Sequence, residues 1–131
     1  WTLANVNLKA VIIGALADNV ATLFIMLLLM TALSSTGISE DEVVGRMKSP
    51  SGLLLSLIIG LGCTGFGGYV SGRMAQRSEV LHGALVAGIG MILALIWRES
   101  GLPNWYDIIG FAGMLPAGIV GGSMAGQRRR S

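Results

Sequence analysis

One cysteine, one histidine and three prolines occur in 131 residues, and only 12 % of the chain is charged. Each shortage removes a class of protein. The single Cys63 excludes an intrachain disulfide framework, and in its apolar run it reads as a small packing residue. One His and one Cys exclude most nucleophile–base pairs and the multi-histidine or haem sites, so neither catalysis nor a cofactor is expected. Strict apolar–polar alternation is missing, which excludes barrel strands. The charge deficit says most. Soluble chains carry about twice this share of charged residues, and 9 Lys+Arg with 7 Asp+Glu cannot clothe a domain of this size. So little charge also argues against a disordered chain. A net charge of +2 is too small for a nucleic-acid binder, so no such partner is expected. The sequence begins at Trp1 rather than Met, as expected of a processed or truncated N-terminus. No basic segment leads into an apolar run with a cleavage site.

What is present is apolar surface, 53 % of residues, and glycine, 20 of the 131 positions. Crossing about 30 Å of hydrocarbon takes roughly 20 helical residues. Between its charges the chain offers four such windows: Asn19 to Ser39 with the apolar lead-in Leu8 to Ala17, then Pro50 to Gly72, Val80 to Trp97 and Ile108 to Gln127. They predict an all-α, four-transmembrane-helix bundle. It forms a single membrane domain over 1–131, with helices near 8–34, 51–72, 80–98 and 107–127. Lys9, Arg73, Arg77, Arg128, Arg129 and Arg130 all fall on one side of such a bundle. The other side receives Arg46, Lys48 and Arg98 with most of the acids. By the positive-inside rule the first side, with both chain ends, is cytoplasmic, in a cell's inner (plasma) membrane. Trp97, Trp105 and Tyr106 flank the second outer loop as an aromatic belt would, and Trp1 and Tyr69 are candidates for the same role inside. In the first outer loop, Ser39-Glu40-Asp41-Glu42 matches a capping box, which predicts a short helix through Val43, Val44 and Met47. A solvated acidic loop is the alternative.

The glycines fall in rows. Span two places Gly52, Ser56, Gly60, Thr64, Gly68 and Gly72 four residues apart. Span three has Gly83, Ala87, Gly90 and Ala94, and span four has Gly110, Gly118, Gly122 and Gly126. Small residues let helix backbones approach in lipid, where hydrophobic driving force between helices is weak. Gly60, Thr64, Gly68, Gly72, Gly118, Gly122 and Gly126 are therefore expected at helix contacts, within this chain or with another. The segment from Gly68 to Ala75 also aligns with the segment from Gly118 to Ala125, sharing Gly, Val, Gly, Met and Ala. Two parallel helical hairpins would give this pattern; chance alignment of Gly/Ala-rich segments is the alternative. Pro116 interrupts span four and is expected to kink it.

Asp18 is the one acid within an apolar span, beside the polar Asn19 and Thr22. At the bilayer centre such a residue costs about 2.5–3.5 kcal/mol and faces protein or water. One reading is a protonatable site for proton or cation coupling; the other is an interhelical hydrogen-bond anchor. Depth matters to both. A helix entering at Leu8 puts Asp18 about 15 Å in, whereas a core starting at Val20 leaves it among the headgroups. His82, without Cys or His companions, is a poor metal site at the cytoplasmic end of span three. Arg128, Arg129 and Arg130 are expected to touch anionic lipid or a cytoplasmic partner.

The motifs from Gly67 to Arg73 and from Leu81 to Val86, with Asp18 in the first span, resemble those of a family of small uncharacterised four-helix membrane proteins of prokaryotes. The resemblance covers most of the chain and implies the architecture but no activity. The architecture is also similar to that of small multidrug-resistance transporters. Those are shorter, carry Glu where this chain has Asp18, and use binding-site aromatics without a clear counterpart here. Two functions follow as expectations. The first is an accessory or structural subunit packing its glycine faces against other membrane subunits or itself. The second is a small proton- or ion-coupled transporter or channel using Asp18, which requires a polar cavity around that residue.

Overall fold

Five helices account for most of residues 5–131, the part that the computed structural model describes; Trp1 lies outside it. They are α1 (Leu8–Ser34), α2 (Glu40–Lys48), α3 (Pro50–Ala75), α4 (Glu79–Ile96) and α5 (Asn104–Arg130). All but α2 are long and apolar enough to cross a membrane. The helical bundle expected from composition is what is observed.

Several boundaries move. α3 continues to Ala75 rather than ending at 72, and α5 runs from Asn104 to Arg130 rather than from 107 to 127. α4 covers Glu79–Ile96 instead of 80–98. Charges delimit an apolar window, but a helix keeps its backbone bonds beyond the hydrocarbon. In α5 the charges even suit the helix dipole, with Asp107 in the first turn and three arginines in the last.

The first connection is helical rather than an irregular acidic loop. Ser39 Oγ accepts from the Glu42 N–H at 3.3 Å. The Glu42 carboxylate does not return the bond; it pairs with Arg46, one turn on, at 3.1 Å. Val43 is buried, and Ser49 caps the next helix by accepting from the Gly52 N–H at 3.2 Å. A Cβ on Gly52 would strike the backbone of Arg46 and Met47, so this glycine is what lets α2 fold back onto α3.

α1 and α4 run in one direction, α3 and α5 in the other. α3 packs against α1, α4 and α5, whereas α1 touches α4 but not α5. Gly68 and Gly118, equivalent in the internal repeat, meet each other: a Cβ on Gly68 would lie 3.1 Å from the Gly118 Cα. The packing is nevertheless not symmetric, since α3 reaches α4 while α1 does not reach α5.

The basic end of the bundle is tightly closed. There Gly14 meets Gly67 and Ser71, Gly83 meets Gly118, and Gly122 meets the Glu79 carbonyl, all at backbone distance. Leu57, Leu61, Phe111 and Met114 replace these small residues toward the acidic end, and larger side chains hold the helices apart. That difference in side-chain size creates the cavity described below.

His82, in the first turn of α4, is fully buried. Its Nε2 accepts from the Asn7 N–H at 2.9 Å, and its Nδ1 lies 2.9 Å from the Ser78 carbonyl. A carbonyl only accepts, so Nδ1 carries the proton and the ring is held as one neutral tautomer. His82 thus joins the start of α1 to the start of α4. His82→Ala is expected to lower stability by about 2 kcal/mol, from lost packing and two lost bonds. Thermal unfolding in detergent, followed by circular dichroism, measures this.

Candidate functional site

α1 begins at Leu8, so Asp18 lies ten residues, about 15 Å, along it. The helix runs unbroken through Asp18 rather than starting at Val20. Its side chain is buried among α1, α3 and α4. Gly67 makes this possible on one side, since a Cβ there would lie 2.8 Å from the Asp18 Cβ. Gly90 lies on the other side, where a Cβ would be in ordinary contact with Asp18 Oδ2 at 3.6 Å.

Few donors reach the carboxylate. Thr64 Oγ1 stands 3.2 Å from Asp18 Oδ2, but also 3.1 Å from the Gly60 carbonyl, and it has one proton to give. Thr22 Oγ1 lies 3.5 Å from Asp18 Oδ1 and closer, at 2.9 Å, to the Asp18 carbonyl. Asn19 donates its amide to the Ala15 carbonyl at 2.8 Å and so serves its own helix. A carboxylate has about four lone-pair sites, and the protein offers it at most a shared hydroxyl or two.

The rest of the carboxylate's surroundings is a cavity of about 710 Å³ between α1, α3, α4 and α5. Asp18, Thr22 and Thr64 form its deep end. Leu57, Phe111 and Met114 form apolar walls, and Arg98, Glu99 and Asp107 mark the acidic end of the molecule. Arg98 pairs with Asp107 at 2.8 Å and Lys48 with Glu99 at 2.6 Å, so the cations near this mouth are already engaged. Among the described residues no cationic side chain pairs with Asp18.

The expected packing residues divide. Gly68, Gly72, Gly118 and Gly122 lie at close crossings of α3, α4 and α5. Gly126 makes only ordinary contact with the Glu79 side chain, 3.5 Å from its Cδ. Gly60 is not at a close crossing: nothing lies within 4 Å of its Cβ position, and it lines the cavity. Thr64 is the hydroxyl partner of Asp18. The terminal arginines also divide, because consecutive helical residues point about 100° apart. Arg129 turns inward to the α3–α4 turn, donating to the Gln76 carbonyl and pairing with Glu79 at 3.2 Å. Arg128 lies at a separate groove between α3 and α5. Phe111 and Met114 belong to the site although no motif marks them, and Gly90, one of the small-residue row of span three, faces Asp18 there. A periodicity that sorts small from large residues cannot tell which large ones surround a distant carboxylate.

No family model, curated protein or solved structure matches the chain.

Proposed function

We propose that the protein is a small proton- or cation-coupled carrier or channel in which Asp18 binds the coupled ion. One observation carries the reading: a cavity of about 710 Å³ leads from the acidic end to a mid-bundle carboxylate that the protein itself leaves under-bonded. A buried acid facing a cavity marks an ion pathway more often than a passive anchor. The competing reading, an accessory subunit, draws on glycine rows in search of a partner. Most of those glycines meet other helices of the same chain, which weakens that support.

The charges at the two ends support an orientation. Arg46, Lys48 and Arg98 are ion-paired, whereas Lys9, Arg73, Arg77, Arg128 and Arg130 have no ion-pair partner among the described residues. The positive-inside rule then assigns the free basic end to the cytoplasm of a prokaryotic cell, and the cavity mouth to the outside of its plasma membrane.

Reconstitution into vesicles, with proton, sodium and potassium fluxes followed under an imposed membrane potential, tests the proposal. Asp18→Asn is expected to reduce the active flux to that of empty vesicles while the protein elutes at its normal size. Undiminished flux in Asp18→Asn would remove Asp18 from the mechanism. Co-purification with a larger complex, and no flux from the isolated protein, would favour the subunit reading.

A further inference from the structure

A second concavity lies outside the bundle, along the seam of α3 and α5, with a volume of about 610 Å³. Gly62 and Gly121 line it with Phe66, Val120 and Met124, and Pro116 and Arg128 lie at its two ends on α5. It runs along the two helix axes, and helices that span a bilayer tilt only about 20° from its normal on average. From Pro116 to Arg128 the helix rises about 18 Å, close to one leaflet of a hydrocarbon core about 30 Å thick. The lining is hydrocarbon and glycine until the basic end, where Tyr69 and Arg128 join it. Arg128 is exposed and has no ion-pair partner among the described residues.

We infer that this groove is a binding site for one anionic phospholipid, with an acyl chain along the α3–α5 seam and its phosphate on Arg128. Depth, direction and charge all agree with a lipid of the leaflet at the basic end. A second copy of the chain fits less well. In the same orientation it brings its own unpaired basic end beside this one, and like charges repel. The inference is independent of the transport reading, because the groove shares only Leu61 with the Asp18 cavity.

Native mass spectrometry of the purified protein, with palmitoyl-oleoyl phosphatidylglycerol and the matching phosphatidylcholine as probes, tests it. The wild type is expected to retain phosphatidylglycerol in preference. Arg128→Gln is expected to weaken that lipid about fivefold, the ratio corresponding to about 1 kcal/mol per basic residue, and to leave phosphatidylcholine unchanged. Arg128→Lys is expected to keep the preference. Gly62→Leu fills the groove and is expected to weaken both lipids; it should fold, because nothing lies within 4 Å of the Gly62 Cβ position. Three results would overturn the site. Arg130→Gln matching Arg128→Gln would mean diffuse attraction to a basic end. Unaltered lipid retention in Gly62→Leu would mean that lipid lies elsewhere. A wild-type dimer that Gly62→Leu dissociates would mean that the groove holds a second copy.

Discussion

Gly83→Ala is expected to destabilise the bundle sharply, while Gly88→Ala in the same helix leaves its stability level or raises it. A Cβ on Gly83 would run into the carbonyl of Gly118 and come within 3.1 Å of the Gly122 nitrogen. Both obstacles are backbone, so the methyl fits only if α4 and α5 separate. Overpacking typically costs about 1–3 kcal/mol, and a contact with no flexible side chain to yield belongs at the upper end. Gly88 faces open space, with nothing within 4 Å of its Cβ position. There the substitution adds only helix propensity, about 1 kcal/mol in favour of Ala. Circular dichroism during thermal or SDS-induced unfolding in micelles reads both variants against the wild type. Equal effects at the two positions would mean that α4 and α5 do not approach at Gly83.

The second large effect concerns access to Asp18. An apolar carbodiimide such as dicyclohexylcarbodiimide is expected to label Asp18, since the cavity leads to its carboxyl from the acidic end. Gly90→Leu is expected to slow that labelling by roughly tenfold or more, as about 1.4 kcal/mol of added obstruction suffices for a factor of ten. The added side chain starts 3.6 Å from Asp18 Oδ2, and its nearest obstacle is the terminal Met114 methyl at 2.7 Å. Met is unbranched and re-packs readily, so the variant should fold with its cavity filled. Intact mass and peptide mapping locate the adduct. If Asp18 reacts equally in both proteins, the route does not pass Gly90; if it does not react in either, the carboxyl is not open to the cavity.

Much of this architecture is legible in the residues alone. Four apolar windows give four long helices because hydropathy adds up along a segment and needs no knowledge of neighbours. The separation of the two ends follows in the same way, from six basic residues spaced by whole spans. The capping Ser39 and Ser49 are local signals too, and both side chains cap the helices that follow them.

The glycine row of α3 shows where such legibility stops. Residues four apart on a helix advance by about 400°, so each step drifts about 40° around the axis. Gly52 therefore meets α2, Gly60 and Thr64 face the cavity and Asp18, and Gly68 and Gly72 meet α5. A pattern that reads as one face serves several partners in turn. His82 is similar: its place near the start of α4 is legible, but that Asn7, 75 positions away, makes it a buried link is not.

Composition and spacing alone determined the solvent, the number of spans, the unequal charge of the two ends and the places where backbones can approach. Only the tertiary structure decided which glycines meet, that Thr64 stands over Asp18, that a cavity reaches that carboxylate, and that Arg128 and Arg129 part company. The first group depends on sums over consecutive residues. The second depends on the rotation of each helix about its axis and on pairings between distant segments, neither of which any single stretch of sequence contains.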